Sequence, residues 1–223
     1  MAGSAYGIYG ASGCGRGIMP LARRHLAQMA GSPQKLVFID DAPTQTEING
    51  HLIVTFDEFL ALPCNGERYA ALAIADGRIR QRLYNRCTSA GVAIWSIIAD
   101  NTVMFDDVVI GRGALLSPFV TITSNIRIGL CFHANLYSYV EHDSVVGDFV
   151  TFAPGVQCNG NVHIDDYAYI GAGAILKQGR PGNPLTIGQG AIVGMGAVVT
   201  CSVAPGVTVV GNPARPIVRT DQC

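Results

Sequence analysis

Charge is scarce in this chain. Asp, Glu, Lys and Arg make up 14% of its 223 residues, where an average soluble domain carries about a quarter. The formal net charge is −1, so neither a basic nor an acidic excess is available, which argues against a general binder of nucleic acid or anionic membrane. No apolar run reaches the roughly 20 residues of a membrane span, and residues 1–15 lack the basic start and apolar core of a signal peptide. Membrane insertion is therefore not expected. Seven cysteines at 14, 64, 87, 131, 158, 201 and 223 include no CxxC pair. An odd, unpatterned set points to reduced thiols in the cytoplasm and not to a disulfide framework. With a mean hydropathy of +0.31, so uncharged a chain is expected to bury surface against copies of itself.

What the sequence has instead is a period of six. An aliphatic or small residue falls at every sixth position from Ile98 through Met104, Ile110, Leu116, Ile122, Ile128, Ala134, Val140, Val146, Phe152, Cys158, Ile164 and Ile170 to Leu176. A second column runs four residues behind, from Thr102 to Ala174. Inward positions two apart give local strand alternation, and Gly, Asp or Asn cluster where the chain must turn. Each hexad reads as one short strand plus a corner, and three hexads close a coil of 18 residues. A β-sandwich or propeller, the competing reading, has longer and looser repeats. The register breaks after Leu176, where Gln178-Gly179-Arg180-Pro181-Gly182-Asn183-Pro184 inserts about five residues, a loop thrown out of one corner. It resumes at Ile187, Val193 and Val199.

Residues 1–97 follow a different grammar. Strands are predicted near 6–9, 36–39, 70–75 and 92–98, and helices over 18–29, 56–62 and 79–90. That alternation implies a small, Rossmann-like parallel sheet with helices around it. Gly10-Ala11-Ser12-Gly13-Cys14-Gly15 follows the first strand and opens a helix, where free N–H groups and the helix dipole favour phosphate. Asp40-Asp41 ends the second strand, at the edge where nucleotides bind in such sheets. Ser12, Gly13, Cys14, Gly15, Asp40 and Asp41 are the candidate substrate-binding residues. Glycine turns also serve tight packing alone, and the motif is weak by itself.

Among five histidines, His25 reads as a solvated helix face and His51 as a loop residue. His133 and His163 fall at outward-facing hexad positions, and His142 falls on a corner. The adjacent Asp143 can bond one ring nitrogen, fix the tautomer and raise the basicity of the other. An ordinary surface histidine is the competing reading.

The hexads resemble those of hexapeptide-repeat acyltransferases. More specifically, Glu141-His142-Asp143-x-x-x-Gly147-Asp148-Phe149-Val150-x-x-Ala153-Pro154-Gly155 resembles the sialic acid O-acetyltransferase family of bacterial sugar acyltransferases, which includes N-acetyltransferases of nucleotide-linked 4-amino sugars. The resemblance implies a nucleotide-binding α/β domain over 1–97 and a left-handed parallel β-helix over 98–223, assembled as a homotrimer with active sites at subunit interfaces. It implies acetyl-CoA as co-substrate without a metal, and a nucleotide-linked amino sugar as acceptor, with GDP-perosamine favoured for surface polysaccharide synthesis. His142 matches the general base and Asp143 the acid that tunes it. Acetyl-CoA would lie in a groove between adjacent β-helices. Ala172, Gly173, Pro213 and Arg215 match that groove, and Gly160, one coil above His142, could offer an oxyanion N–H. Thr151 stands where the family usually has a second histidine that contacts the thioester, a departure from the pattern. His133 lies one coil beneath it.

A UDP-linked sugar, O-acetylation of a sialic-acid-type sugar, and a nucleotide-binding scaffold without catalysis are the alternatives. A metal enzyme on the same helix needs three converging histidines, and the spacing of these five does not supply them.

Overall fold

The computed structural model describes residues 3–29 and 35–217; Cys223 lies outside the described residues. The chain divides into two compact units, residues 1–98 with 112–115 and residues 99–111 with 116–223.

The first unit runs β1 (Ala5–Tyr9), α1 (Gly13–Gln28), β2 (Lys35–Ile39), β3 (Glu47–Ile48), β4 (His51–Val54), α2 (Phe56–Ala61), β5 (Arg68–Leu72), α3 (Gly77–Ser89) and β6 (Ala93–Ile94). The sheet order is β3-β4-β2-β1-β5-β6. All pairs are parallel except the β3–β4 hairpin. β1 is buried along its whole length, as a central strand covered on both faces must be. Thr55 and Glu58 close a reciprocal capping box at the start of α2, and Asp76 caps α3 by accepting from Ile79 N at 2.9 Å.

Four details differ from the sequence expectation. Helix α1 begins inside the glycine turn, at Gly13. The predicted strand over 92–98 splits into β6 and Ile97–Ile98. His51 opens β4, with its ring against Phe38, and is not in a loop. The β3–β4 hairpin turns through Asn49 and Gly50, both at positive φ, and Asn-Gly is the strongest short hairpin signal a sequence can carry. His25 rests its ring 5.5 Å from Trp95, so it is more than a solvated face.

The second unit is a stack of coils carrying three sheets of two- and three-residue strands, paired in parallel except for Thr208–Val210 with Arg215–Pro216, which run antiparallel. Among the pairs up to Leu176 the partners lie 18 residues apart, as in Ile122↔Val140↔Cys158↔Leu176. Ile164 pairs with Ile187, five residues beyond that step, so the 178–184 insertion leaves the register above it intact. The hexad column is buried from Leu116 to Leu176, with Phe132 and Phe152 edge-to-face at 5.1 Å. Two serines in the second column keep their hydroxyls satisfied inside the stack. Ser138 donates to Ala153 O and accepts from Val156 N, and Ser144 accepts from Val162 N.

Met104 is a correction. It is 45% exposed, because Val103–Met104 is the edge strand of its sheet, so only one neighbouring coil covers it. His133 is a second correction. His133 and Thr151, paired in neighbouring coils, face outward and are nonetheless buried, each 2% exposed. A six-residue period reports which side chains point into the coil and nothing about what covers its outer faces. Among the described residues no helix is long and apolar enough to cross a membrane.

Phe152→Ala should cost about 3–5 kcal/mol, read as a fall in the urea midpoint of unfolding. A loss under 1 kcal/mol would mean that the stacked core does not hold the coils together.

Candidate active site

Every coil must turn a corner with one residue in the left-handed region. Asn and Asp are the non-glycine residues that adopt it most readily. At one corner the column is Asp107, Asn125, Asp143 and Asn161, with φ of +54°, +61°, +58° and +56°. The backbone stacks there too: Asn125 N donates to Asp106 O, Asp143 N to Ser124 O and Asn161 N to His142 O, at 3.1, 3.2 and 2.9 Å. His142 therefore has its main chain clamped by the coil above.

Its side chain is equally defined. His142 Nδ1 lies 2.8 Å from Asp143 Oδ2. A carboxylate has no proton to give, so Nδ1 carries one, and in the neutral imidazole that leaves Nε2 with the free lone pair. The other carboxylate oxygen, Oδ1, accepts from Asn125 Nδ2 at 3.2 Å. The hydrogen bond with His142, followed by the one from Asn125, holds the Asp143 carboxyl below the usual carboxylate range. Both dyad side chains are a little under half exposed, so an incoming group can reach Nε2. Gly160 forms the floor: a Cβ there would lie 2.5 Å from both Cε1 and Nε2 of His142. Only glycine lets the imidazole lie against this coil.

Up the same column, Gly179 N donates to Gly160 O at 2.9 Å. Beyond it opens a polar pocket of about 270 Å³ lined by Lys177, Gln178, Arg180, Asn183, Thr200 and Ser202. Its two cations suit phosphate. Sequence reasoning read this stretch as a loop and missed them; Lys177 just before the insertion and Arg180 within it were the available signal. Arg215 lines a second pocket, of about 320 Å³, that shares Cys201 and Ser202 with the first.

Thus His142, Asp143 and Gly160 come together. Ala172 and Gly173 turn a different corner, in line with Gly155 and Gly196. Pro213 and Arg215 stand at the C-terminal end of the stack. Thr151 is buried on another side, paired between His133 and Tyr169. Among the described residues no three His, Cys, Asp or Glu side chains converge as a metal site.

In the first unit, β1 lies between β2 and β5, so the chain leaves it in both directions. The crevice at the carboxyl end of such a strand is where ligands bind in open parallel sheets. Gly10 has φ +106°, and a Cβ on Gly15 would lie 1.8 Å from Gly10 O, so packing by itself already requires glycine at position 15. Gly13 has open space around it. Ser12 is the N-cap without a side-chain cap bond, and the first turn of α1 holds no acid, which leaves its positive end uncompensated. Burial pushes the Cys14 thiol up, partly offset by Arg80, so it stays protonated.

The two acids diverge. Asp40 accepts from Ala42 N at 3.1 Å. Asp41 Oδ2 accepts from Tyr9 Oη at 2.5 Å and from Arg86 at 2.6 Å, and Oδ1 accepts from Phe56 N at 3.3 Å. Arg86 also lies over the Phe56 ring at 4.5 Å. Partial burial raises the Asp41 carboxyl, but the bonds from Tyr9, Phe56 N and Arg86 outweigh it and hold the net value low. Burial and then Asp41 push the Tyr9 hydroxyl up. Tyr9 and Arg86 were not foreseen, since nothing local in sequence links positions 9, 41 and 86.

No protein-family model matches the chain. It is 50% identical over 215 residues to GDP-perosamine N-acetyltransferase of Escherichia coli O157:H7, covering 96% of this chain and 97% of that one. WeeI from Acinetobacter baumannii AYE superposes with a TM-score of 0.92 at 51% identity, over 96% of this chain and 100% of that one. The acetyltransferase domain of PglB from Neisseria gonorrhoeae FA1090, solved with acetyl coenzyme A, superposes with a TM-score of 0.81 at 26% identity, over 97% and 100%.

Gly160→Ala should displace the imidazole, seen as moved His142 Cε1–H and Nε2 resonances while the melting temperature shifts by only a few degrees. Unmoved ring resonances would disprove the contact. Because the Asp41 carboxyl is depressed in the folded state, its stabilisation is present above the ordinary carboxylate range and lost as pH falls through it. The urea midpoint of wild type should therefore exceed that of Asp41→Asn at pH 7, with the gap closing below about pH 4. A gap that persists in acid would rule out a role for the charge.

Proposed function

The chain belongs to the family of GDP-perosamine N-acetyltransferase, and on that premise we propose that it transfers the acetyl group of acetyl-CoA to the 4-amino group of a nucleotide-linked deoxy sugar, GDP-perosamine being the favoured substrate. The observation that carries this reading is the His142–Asp143 dyad, nearly half exposed on a corner, with Nδ1 facing the carboxylate and the ring against Gly160.

An amine near neutral pH is largely protonated and not nucleophilic, so the sugar amine reacts after losing one proton to solvent. A base must then take a second proton as the neutral nitrogen attacks the thioester carbonyl. His142 Nε2 takes it, and Asp143 stabilises the imidazolium from the Nδ1 side. The Gly160 N–H, on the same corner, is proposed as a donor to the tetrahedral oxyanion. As that intermediate collapses, the C–S bond breaks, the amide C–N bond remains, and the proton held by His142 returns to the CoA sulfur. Lys177 and Arg180 stand along the same column with charges suited to CoA phosphates. Thr151, buried within one chain, is assigned no step.

We take residues 1–97 as a Rossmann-like nucleotide-sugar domain, with phosphate at Ser12, Gly13 and Cys14 and the base near Asp40, whose carboxylate can accept both N1–H and the 2-amino group of guanine. Residues 98–223 are read as a left-handed β-helix, a reading supported by the family and by the column of left-handed corners. A cytoplasmic homotrimer fits the low charge and the exposed Phe119, Tyr137, Val145 and Met195. Ala172, Gly173, Pro213 and Arg215 stand off the His142 column of their own chain, as residues serving a site shared between copies would. The run from Glu141 to Gly155 supports the wider kinship with sialic acid O-acetyltransferases.

His142→Ala should lower kcat by about 10²–10⁴-fold with an unchanged sedimentation profile; full turnover would remove the base from this mechanism. A screen of acetyl-CoA with GDP- and UDP-linked 4-amino sugars should release CoA thiol fastest with GDP-perosamine and place the acetyl mass on nitrogen. Acetylation of a hydroxyl would overturn the assignment.

A further inference from the structure

We propose that Asn125, 17 residues before the catalytic histidine, is a positioning residue for the dyad: its side-chain amide holds the Asp143 carboxylate in the plane that presents the other oxygen to His142 Nδ1. The proposal rests on the reading of His142 as the base.

The geometry is a chain of three side chains on two coils. Asn125 Nδ2 donates to Asp143 Oδ1 at 3.2 Å, and Asp143 Oδ2 faces His142 Nδ1 at 2.8 Å. Because a carboxylate only accepts, the amide must present its nitrogen to it. The corner N–H groups of Asn125, Asp143 and Asn161 are committed to the backbone ladder. Asp143 is nearly half exposed, so without the amide its carboxylate would rotate freely against water. The imidazole would then lose its fixed acceptor.

The column itself favours this arrangement. Asp107, Asn125, Asp143 and Asn161 alternate acid and amide at equivalent left-handed positions, in neighbouring coils about 4.8 Å apart. Like charges stacked at that spacing repel, and an intervening amide replaces repulsion with a donor. At Asp107 the solution differs: Arg127 pairs with both carboxylate oxygens at 2.9 and 3.0 Å. The charged groups along this corner are thus Asp106 and the Asp107–Arg127 pair below, Glu141 and Asp143 on the turn itself, and, beyond uncharged Asn161, Lys177 and Arg180 at the pocket further up.

The test uses the full-length enzyme. Asn125→Gly keeps a residue that tolerates the left-handed corner and removes only the amide. It should lower kcat about tenfold, leave KM for acetyl-CoA and sugar nucleotide within twofold, and turn the His142 nitrogen-15 spectrum from a single Nδ1–H tautomer into a mixture. In a His142→Ala background the same change should cost nothing further in kcat. Asn125→Asp keeps shape and corner but adds a carboxylate, and should move the acid limb of kcat/KM upward by roughly half a unit. An unchanged tautomer in Asn125→Gly, a full tenfold loss in the His142→Ala background, or an unmoved acid limb in Asn125→Asp would each overturn the proposal. Should His142→Ala keep its turnover, the base reading falls, while the tautomer measurement still decides whether Asn125 orients the dyad.

Discussion

The second unit depends on a backbone constraint: each coil must pass through the left-handed region at its corners. That conformation costs an ordinary residue about 1–2 kcal/mol, and the three corner columns meet the cost differently. One uses Asn and Asp. A second begins with Phe119 and Tyr137, stacked at 4.9 Å, and continues with Gly155, Gly173 and Gly196. The third carries Phe149 and Tyr167, stacked at 5.9 Å, between Cys131 and Gly190. A stacked aromatic pair contributes about 0.5–1.5 kcal/mol beyond its buried area, which offsets part of the strain at its two corners.

The corner that uses Asn and Asp holds the dyad, and the two facts are linked. A side chain short and polar enough for the left-handed region is also one that can bond its neighbours in adjacent coils. The residue that turns the chain at 143 is therefore already a carboxylate, preceded by a histidine whose carbonyl is bonded by the next coil. Gly160 completes the site by leaving space, since any side chain there would occupy the volume of the imidazole. Scaffold geometry supplies preorganisation that many active sites obtain from a separate shell of residues.

The hexad period made the coil stack, its 18-residue register and the place of the insertion legible, because each is a statement about sequence spacing. It also placed His142, Asp143 and Gly160 on one column. It could not show that His133 and Thr151 are buried, because the cover of an outer face is not periodic. Tyr9, Asp41 and Arg86 escaped for a related reason: they meet through three separate elements with no shared local pattern. The β3–β4 hairpin is different, because Asn49-Gly50 was a readable turn that went unused. Asn125 lay in plain view on the right column, but its amide acquires meaning only once the Asp143 oxygens are seen to divide between two partners.

The insertion at 178–184 shows how such a scaffold separates two kinds of change. Five extra residues leave a corner, yet the strand pairs above it, Tyr169↔Ile192 and Ile175↔Val198, keep their alignment. Lengthening a loop adds only a slowly growing entropic cost, and each coil contacts only its neighbours. Corner loops can therefore lengthen, shorten or exchange their cations without disturbing the core. The pocket bordered by Lys177 and Arg180 belongs to that variable layer, and the His142 corner two coils down belongs to the fixed one. The charge of the pocket and the geometry of the His142–Asp143 pair are thereby free to vary independently.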